Sequence, residues 1–230
     1  MARRGDLENF AKTHKLRIGT IADLIRYRLE KERNVERIAE KTITTEHGDF
    51  TMMCYDDHVN RSVHVALVKG EITPDEPVLV RVHSECMTGD LFHSLRCDCG
   101  EQMEAALAII EQEGRGVFLY MRQEGRGIGL INKIRAYALQ DRGMDTVEAN
   151  RALGFRDDER DYSIAAHMIH SLDVKSVRLM TNNPTKIIGL KGYGLEVVER
   201  VPIVVEANTR NIGYLKTKQE KLGHLLGLET

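Results

Sequence analysis

Short runs rich in Val, Ile, Leu and Met punctuate the chain: Val63–Val68, Val78–His83, Val117–Met121, Val177–Met180, Glu196–Val201 and Ile203–Val205. Their length and β-branched content predict strands. Between the later runs the apolar period becomes helical. Met103, Ala106, Leu107 and Ile110 recur at spacings of three and four after Cys99-Gly100, and Gly114 is placed to close that helix. Ile131, Ile134 and Tyr137 repeat the pattern, and both stripes read as core-facing. Strands alternating with helices over residues 100–200 predict an α/β layer, whereas the earlier strands read as antiparallel. The expected fold is α/β, a mixed β-sheet with flanking helices.

The first 41 residues differ from the rest. Leu7, Phe10 and Ala11 share one helical face, and a second helix is expected from Thr20, with Asp23 completing a capping box and Ile21, Leu24, Ile25 and Leu29 as its stripe. The charged stretch Glu30–Arg37 reads as a helix end or linker. This segment holds 11 Lys/Arg against 7 Asp/Glu, while residues 42–230 hold 22 against 28. The expected organisation is a helical appendage, 1–41, and a main domain, 42–230.

Charge and composition narrow the function classes. Lys plus Arg number 33 against 35 Asp plus Glu, so no global basic field gathers nucleic acid or anionic membrane. Aromatics are 5% and Trp is absent, which argues against a stacking platform for single strands. No apolar run reaches the roughly 18 residues of a membrane span, and no secretory signal pattern opens the chain. A cytoplasmic protein with reduced thiols is expected.

Those thiols carry the strongest chemical signal. Cys86 is followed, after ten residues, by Cys97-Asp98-Cys99. On an extended strand the Cys-x-Cys spacing puts both sulfurs on one face, and Thr88-Gly89-Asp90 lets Cys86 fold back toward them. Three thiolates suit Zn²⁺, and a three-ligand site leaves a fourth position open, as catalytic zinc does. Two other readings stand beside it: three unrelated core cysteines, or a structural site closed by Cys54 or His83. Cys54 itself reads as a buried small hydrophobe.

A glycine loop, Arg122–Gly129, follows a strand and opens a helix. It is not a dinucleotide fingerprint, because Leu130 stands where a third glycine is needed. It does offer close backbone approach and helix N-terminal amides, with Arg122 and Arg126 as bidentate donors and Glu124 as an acceptor. Thr181–Lys186 likewise follows a strand and begins a helix at Pro184, with Lys186 placed to meet a phosphate. Arg156–Asp161 reads from composition alone as a solvated turn.

The segments Arg81–Asp90, Ser94–Gly100, Arg122–Leu130, Asn132–Gln140, Asp145–Asn150, Asp158–Asp161 and Thr181–Lys186 closely resemble GTP cyclohydrolase II. The resemblance runs from about Thr42 to the end. It implies zinc-dependent hydrolysis of GTP to 2,5-diamino-6-ribosylamino-pyrimidinone 5′-phosphate, formate and pyrophosphate, the first step of riboflavin synthesis. It implies Cys86, Cys97 and Cys99 as ligands of one zinc per chain, Mg²⁺ with the triphosphate, and a homodimer. GTP would lie on Arg81, Val82, His83, Ser84, Glu85, Gln102, Glu124, Gly125, Arg126, Thr146, Thr181 and Lys186. Asp158 is implied as proton acceptor, Arg160 as nucleophile toward the α-phosphate, and Tyr137 as a group near the zinc-bound water. An arginine with a pKa above 12 suits a charge clamp on that phosphate better than a nucleophile. Leu7–His14 and Gly19–Arg28 resemble the last helices of a dihydroxybutanone-phosphate synthase domain, so a truncated or vestigial fusion without synthase activity is expected. The rivals are a nucleotide-binding regulator with a structural zinc and an altered paralogue that releases another product.

Overall fold

The computed structural model describes residues 4–20, 24, 27 and 35–228. The chain divides into two units, with the break between Asn34 and Val35. Helix α1 (Arg4–His14) lies in the first unit. Of the second expected helix, Thr20, Leu24 and Tyr27 are described and the rest lies outside the described residues.

Strand β1 (Val35–Thr45) runs straight through the break expected at residue 41, and it includes the end of the expected linker Glu30–Arg37. Its polar sequence explains the difference. β1 is an edge strand, exposed along most of its length, so it needs few apolar residues. The further strands are β2 (Gly48–Asp57), β3 (Ser62–Lys69), β4 (Val78–Ser84), β5 (Gly116–Met121), β6 (Ser176–Met180) and β7 (Glu196–Val201). They form one sheet of order β1-β2-β3-β5-β4-β6-β7.

The sheet is mixed, in two halves. β1, β2, β3 and β5 pair antiparallel, while β5–β4, β4–β6 and β6–β7 pair parallel. Ile203–Val205 is not a strand. Pro202 has no N–H to give a ladder, and Ile203 instead pairs with the Asn182 side chain, donating its amide to Oδ1 (3.0 Å) and accepting from Nδ2 (2.5 Å).

Period-two alternation along β4 places the site. Val78, Val80 and Val82 enter one core, with Leu119, Met121, Ile164 and Met168; each such buried side chain contributes about 1.5–3 kcal/mol. Leu79 faces the other way, into a core with Phe118, Ala106 and Ile110. Arg81 and His83 share the face of Leu79, at the carboxyl end of a parallel strand. Helix α2 (Cys99–Glu113) covers that face, and Gly114, at φ 74°, ends it in the left-handed conformation. Around the same end lie α3 (Gly129–Gln140), α4 (Thr146–Ala152), α6 (Pro184–Gly192) and α7 (Ile212–Leu222), with α5 (Ser163–His170) on the opposite face. No described helix is long and apolar enough to cross a membrane.

The α3 stripe is reversed from expectation. Ile131 and Ile134 are 71% and 48% exposed, while Lys133 and Ala136 are buried. The face that α3 turns inward borders a polar site rather than an apolar core, so the charged residue goes in and the isoleucines stay out.

Candidate active site

The loops leaving β4, β5 and β6 enclose a cavity of about 580 Å³ at the carboxyl ends of the parallel strands, where open α/β sheets place ligands. Cys86 leaves β4 through a single wide helical turn, Met87–Leu91. Asp90 braces this turn, accepting from the Cys86 amide at 2.8 Å and from Tyr120 Oη at 3.0 Å while pairing with His83 Nε2 at 3.0 Å.

The sulfurs of Cys86, Cys97 and Cys99 lie within 4.8 Å of one another, and Cys86 and Cys97 are 3.7 Å apart. They converge by a route other than the expected strand: Asp98 is the N-cap of α2 and Cys99 its first residue, so the helix start turns the sulfurs together. Among the described residues no fourth His, Cys, Asp or Glu joins the group. Cys54 sits half-buried on β2, and His83 is committed to Asp90.

The donor set fits a soft divalent ion. Two thiolates about 2.3 Å from a tetrahedral zinc stand roughly 3.8 Å apart, which matches the observed pair. Gly89 closes over the cluster: a Cβ there would lie 2.8 Å from Cys97 Sγ and 3.2 Å from Cys86 Sγ. Hydrogen bonds from the Cys97 and Cys99 thiols, together with the Lys133 ammonium, push Cys86 far down, and Cys86 in turn pushes Cys97 up to about 11.

Lys133 donates to Cys86 Sγ at 3.0 Å and to Glu124 Oε1 at 2.9 Å, joining the cysteines to the glycine loop. Glu124 also accepts from the Met87 amide at 2.7 Å and the Gly125 amide at 2.7 Å. Its two oxygens thus tie the glycine loop to the turn that follows Cys86. Gly125, Arg126, Gly127 and Gly129 all have positive φ. At Arg126 this costs about 1 kcal/mol, which the surrounding bonds offset. A Cβ on Gly127 would lie 3.0 Å from the Glu159 backbone, and the Glu159 amide donates to the Arg126 carbonyl at 3.0 Å. The loop is thereby stitched to 157–161.

The opposite wall is cationic. Arg81, 5% exposed, donates to the Met180 carbonyl at 3.0 Å and to Gln102 Oε1 at 2.6 Å. Burial pushes its pKa down to about 10. Lys186, equally buried, donates to the Val82 carbonyl at 2.8 Å; burial, with Arg81 and Arg160 beside it, holds its ammonium well below lysine's usual range. Arg160 pairs with Asp158, Nε to Oδ1 at 2.8 Å and Nη2 to Oδ2 at 2.5 Å. Burial opposes both charges, but the pairing outweighs it, raising Arg160 and lowering Asp158. Arg81, Lys186 and Arg160 thus set three positive side chains along one wall of the cavity, an arrangement that suits an anion.

Three soft sulfurs and a cationic wall in one cavity can hold a metal and a polyanion together. Residues 36–202 match the family model of GTP cyclohydrolase II. The chain belongs to the GTP cyclohydrolase II family. It is 54% identical over 226 residues to the riboflavin biosynthesis protein RibBA of Chlorobium phaeovibrioides, covering 98% of this chain and 55% of that one. To RibBA of Bacillus cereus it is 58% identical over 228 residues, covering 99% and 57%. The chain thus spans about half the length of these relatives. Among solved structures, RibBX of A. baumannii, a two domain 3,4-dihydroxy-2-butanone 4-phosphate synthase, is 30% identical with a TM-score of 0.47, covering 90% of this chain and 51% of that one.

Most residues singled out from the GTP cyclohydrolase II motifs line the cavity: Arg81, His83, Ser84, Glu85, the three cysteines, Gln102, Glu124, Gly125, Arg126, Tyr137, Thr146, Arg160, Thr181 and Lys186. Val82 does not; its side chain is in the core behind β4, and only its carbonyl reaches the site. Asp158 lines a smaller adjoining cavity of about 260 Å³. The run Arg156–Asp161 is no solvated turn throughout, since the Arg160 side chain is 10% exposed. Sequence reasoning missed Lys133, Asp98, Tyr214, Lys218 and His224. A lysine three residues before Ala136 and four before Tyr137, on one helical face, was the available signal for the first.

Proposed function

We propose that this chain binds GTP and opens its imidazole ring hydrolytically, releasing formate and pyrophosphate and leaving 2,5-diamino-6-ribosylamino-pyrimidinone 5′-phosphate as the first step of riboflavin synthesis. The observation that carries the reading is the pairing, within one cavity, of a three-cysteine cluster with the buried cations Arg81, Lys186 and Arg160. Cys86, Cys97 and Cys99 would hold a zinc ion, which when bound supplies Lewis acidity for hydrolysis at neutral pH.

The chain's own residues do the rest. Arg81, Arg126, Arg160 and Lys186 replace the water around the triphosphate, whose Mg²⁺ arrives with it. Gly125 lets the loop backbone approach the nucleotide, and Glu124, braced by Lys133, keeps that loop in place. Tyr137, whose hydroxyl is 3.3 Å from Thr88 Oγ1, is pushed up to about 12 by burial. It stays protonated at neutral pH and is suited to donate a proton as the ring opens. The resemblance of Leu7–His14 and Gly19–Arg28 to the last helices of a dihydroxybutanone-phosphate synthase domain supports reading residues 1–34 as the remnant of such a domain.

Mass spectrometry of the products from GTP with zinc and magnesium tests the reading. Formate, pyrophosphate and the pyrimidinone monophosphate in equal amounts are expected; intact GTP, or a product retaining the formyl carbon, would refute it. Tyr137→Phe separates the two half-reactions. Formate release is expected to fall about 100-fold, within the range of general acid catalysis, with pyrophosphate release much less affected. Equal loss of both would rule out its part in proton transfer.

A further inference from the structure

Asp98 behaves unusually for an N-cap. An aspartate there ordinarily accepts from the amides of the helix's first turn; this one makes no such bond. Its carboxylate, 2% exposed between two of the cysteines, turns instead to Lys218 of α7, whose Nζ lies 2.6 Å from Oδ1. The other oxygen accepts from Gln102 Nε2 at 2.5 Å, and Gln102 Oε1 accepts from Arg81. One run of bonds therefore joins α7, the Cys97–Cys99 segment, α2 and the cationic wall.

Lys218 is itself 8% exposed, and its ammonium lies 4.6 Å from the centre of the Tyr214 ring. The helix that carries it lies beyond the family match, which ends at residue 202. It is fastened to the sheet end by the Leu225 amide, which donates to the Asn182 carbonyl at 2.8 Å. Tyr214, Thr217 and Lys218 reach the cavity wall from it.

We propose that Lys218 is a positioning residue for the three-cysteine centre, acting through the Asp98 carboxylate to fix the Cys97–Cys99 segment, so that the C-terminal helix is part of the site. The inference rests on the reading of that centre as a metal site. Metal ligands are oriented by the groups bonded around them, and loss of such a group typically costs 10–100-fold in metal affinity.

Chelator competition on the zinc-loaded full chain reads this directly. Lys218→Met is expected to weaken zinc binding at least about 10-fold and lower kcat, with KM for GTP changed less than twofold. Lys218→Arg, which keeps the charge, is expected to recover part of the affinity. Should Lys218→Met fail to fold because Asp98 is left unpaired, the Asp98→Asn/Lys218→Met double variant removes both buried charges and is expected to show the same weakened binding. Wild-type zinc affinity in either folded variant would overturn the proposal, as would an affinity that Lys218→Arg lowers as much as Lys218→Met. A wild-type chain that holds no zinc would instead refute the metal reading, and this inference with it.

Discussion

Replacing Cys97 with serine is expected to cut formate release by about a thousandfold or more, because the three cysteines would hold the ion whose Lewis acidity would make water reactive at neutral pH on the proposed reading. Serine is nearly isosteric, but its hydroxyl is a hard, weakly acidic donor beside two soft sulfurs. Among the described residues no fourth His, Cys, Asp or Glu joins the cluster to take over; Cys54 lies elsewhere on β2 and His83 is held by Asp90. The fold should survive: neither hydrophobic core includes a cysteine of this cluster. Zinc content, formate release and the thermal melt of the purified variant check all three statements. Formate release at the wild-type rate from a zinc-free Cys97→Ser protein would remove the cluster from the reaction altogether.

What the sequence made legible divides along physical lines. β4 and β5 were plain because strands buried on both faces must be apolar throughout, and Val78–His83 is apolar but for the two residues that enter the site. β1 was hidden because an edge strand exposed to solvent can be built from Glu, Arg, Lys and Thr. The α3 stripe misled for a related reason. Hydrophobic spacing identifies a face, yet whether that face turns inward depends on what lies opposite, and here a polar cavity drew in Lys133 instead of Ile131. Cys-x-Cys pointed to sulfurs that do converge, but through a helix start and not the expected strand, since a helix start brings sulfurs together as well as a strand does. Lys218 was beyond reach: its partner Asp98 is 120 positions away, and nothing local distinguishes a lysine that will be buried.

Arg160→Lys is expected to slow pyrophosphate release about a thousandfold, the scale of removing a preorganised charge from a phosphoryl-transfer site. Lysine keeps a positive charge beside Asp158, so the segment should remain folded, but it loses the two parallel N–H bonds and the planar fork that a phosphate would share. The same pairing argues for a clamp over a nucleophile. A nucleophilic guanidine must first give up its proton, and among the described residues Asp158 is the carboxylate paired with it. Moving a proton from arginine to aspartate costs about 12 kcal/mol even at their ordinary pKa values. Here the pairing outweighs burial and widens that gap, raising Arg160 and lowering Asp158. A cation held charged against burial is instead ready to meet the phosphate as negative charge shifts onto the leaving pyrophosphate. Rapid quench of the wild-type chain with α-phosphate-labelled GTP decides between the two: the clamp predicts no label on protein at any time, and label recovered on Arg160 at a kinetically competent rate would establish the covalent route.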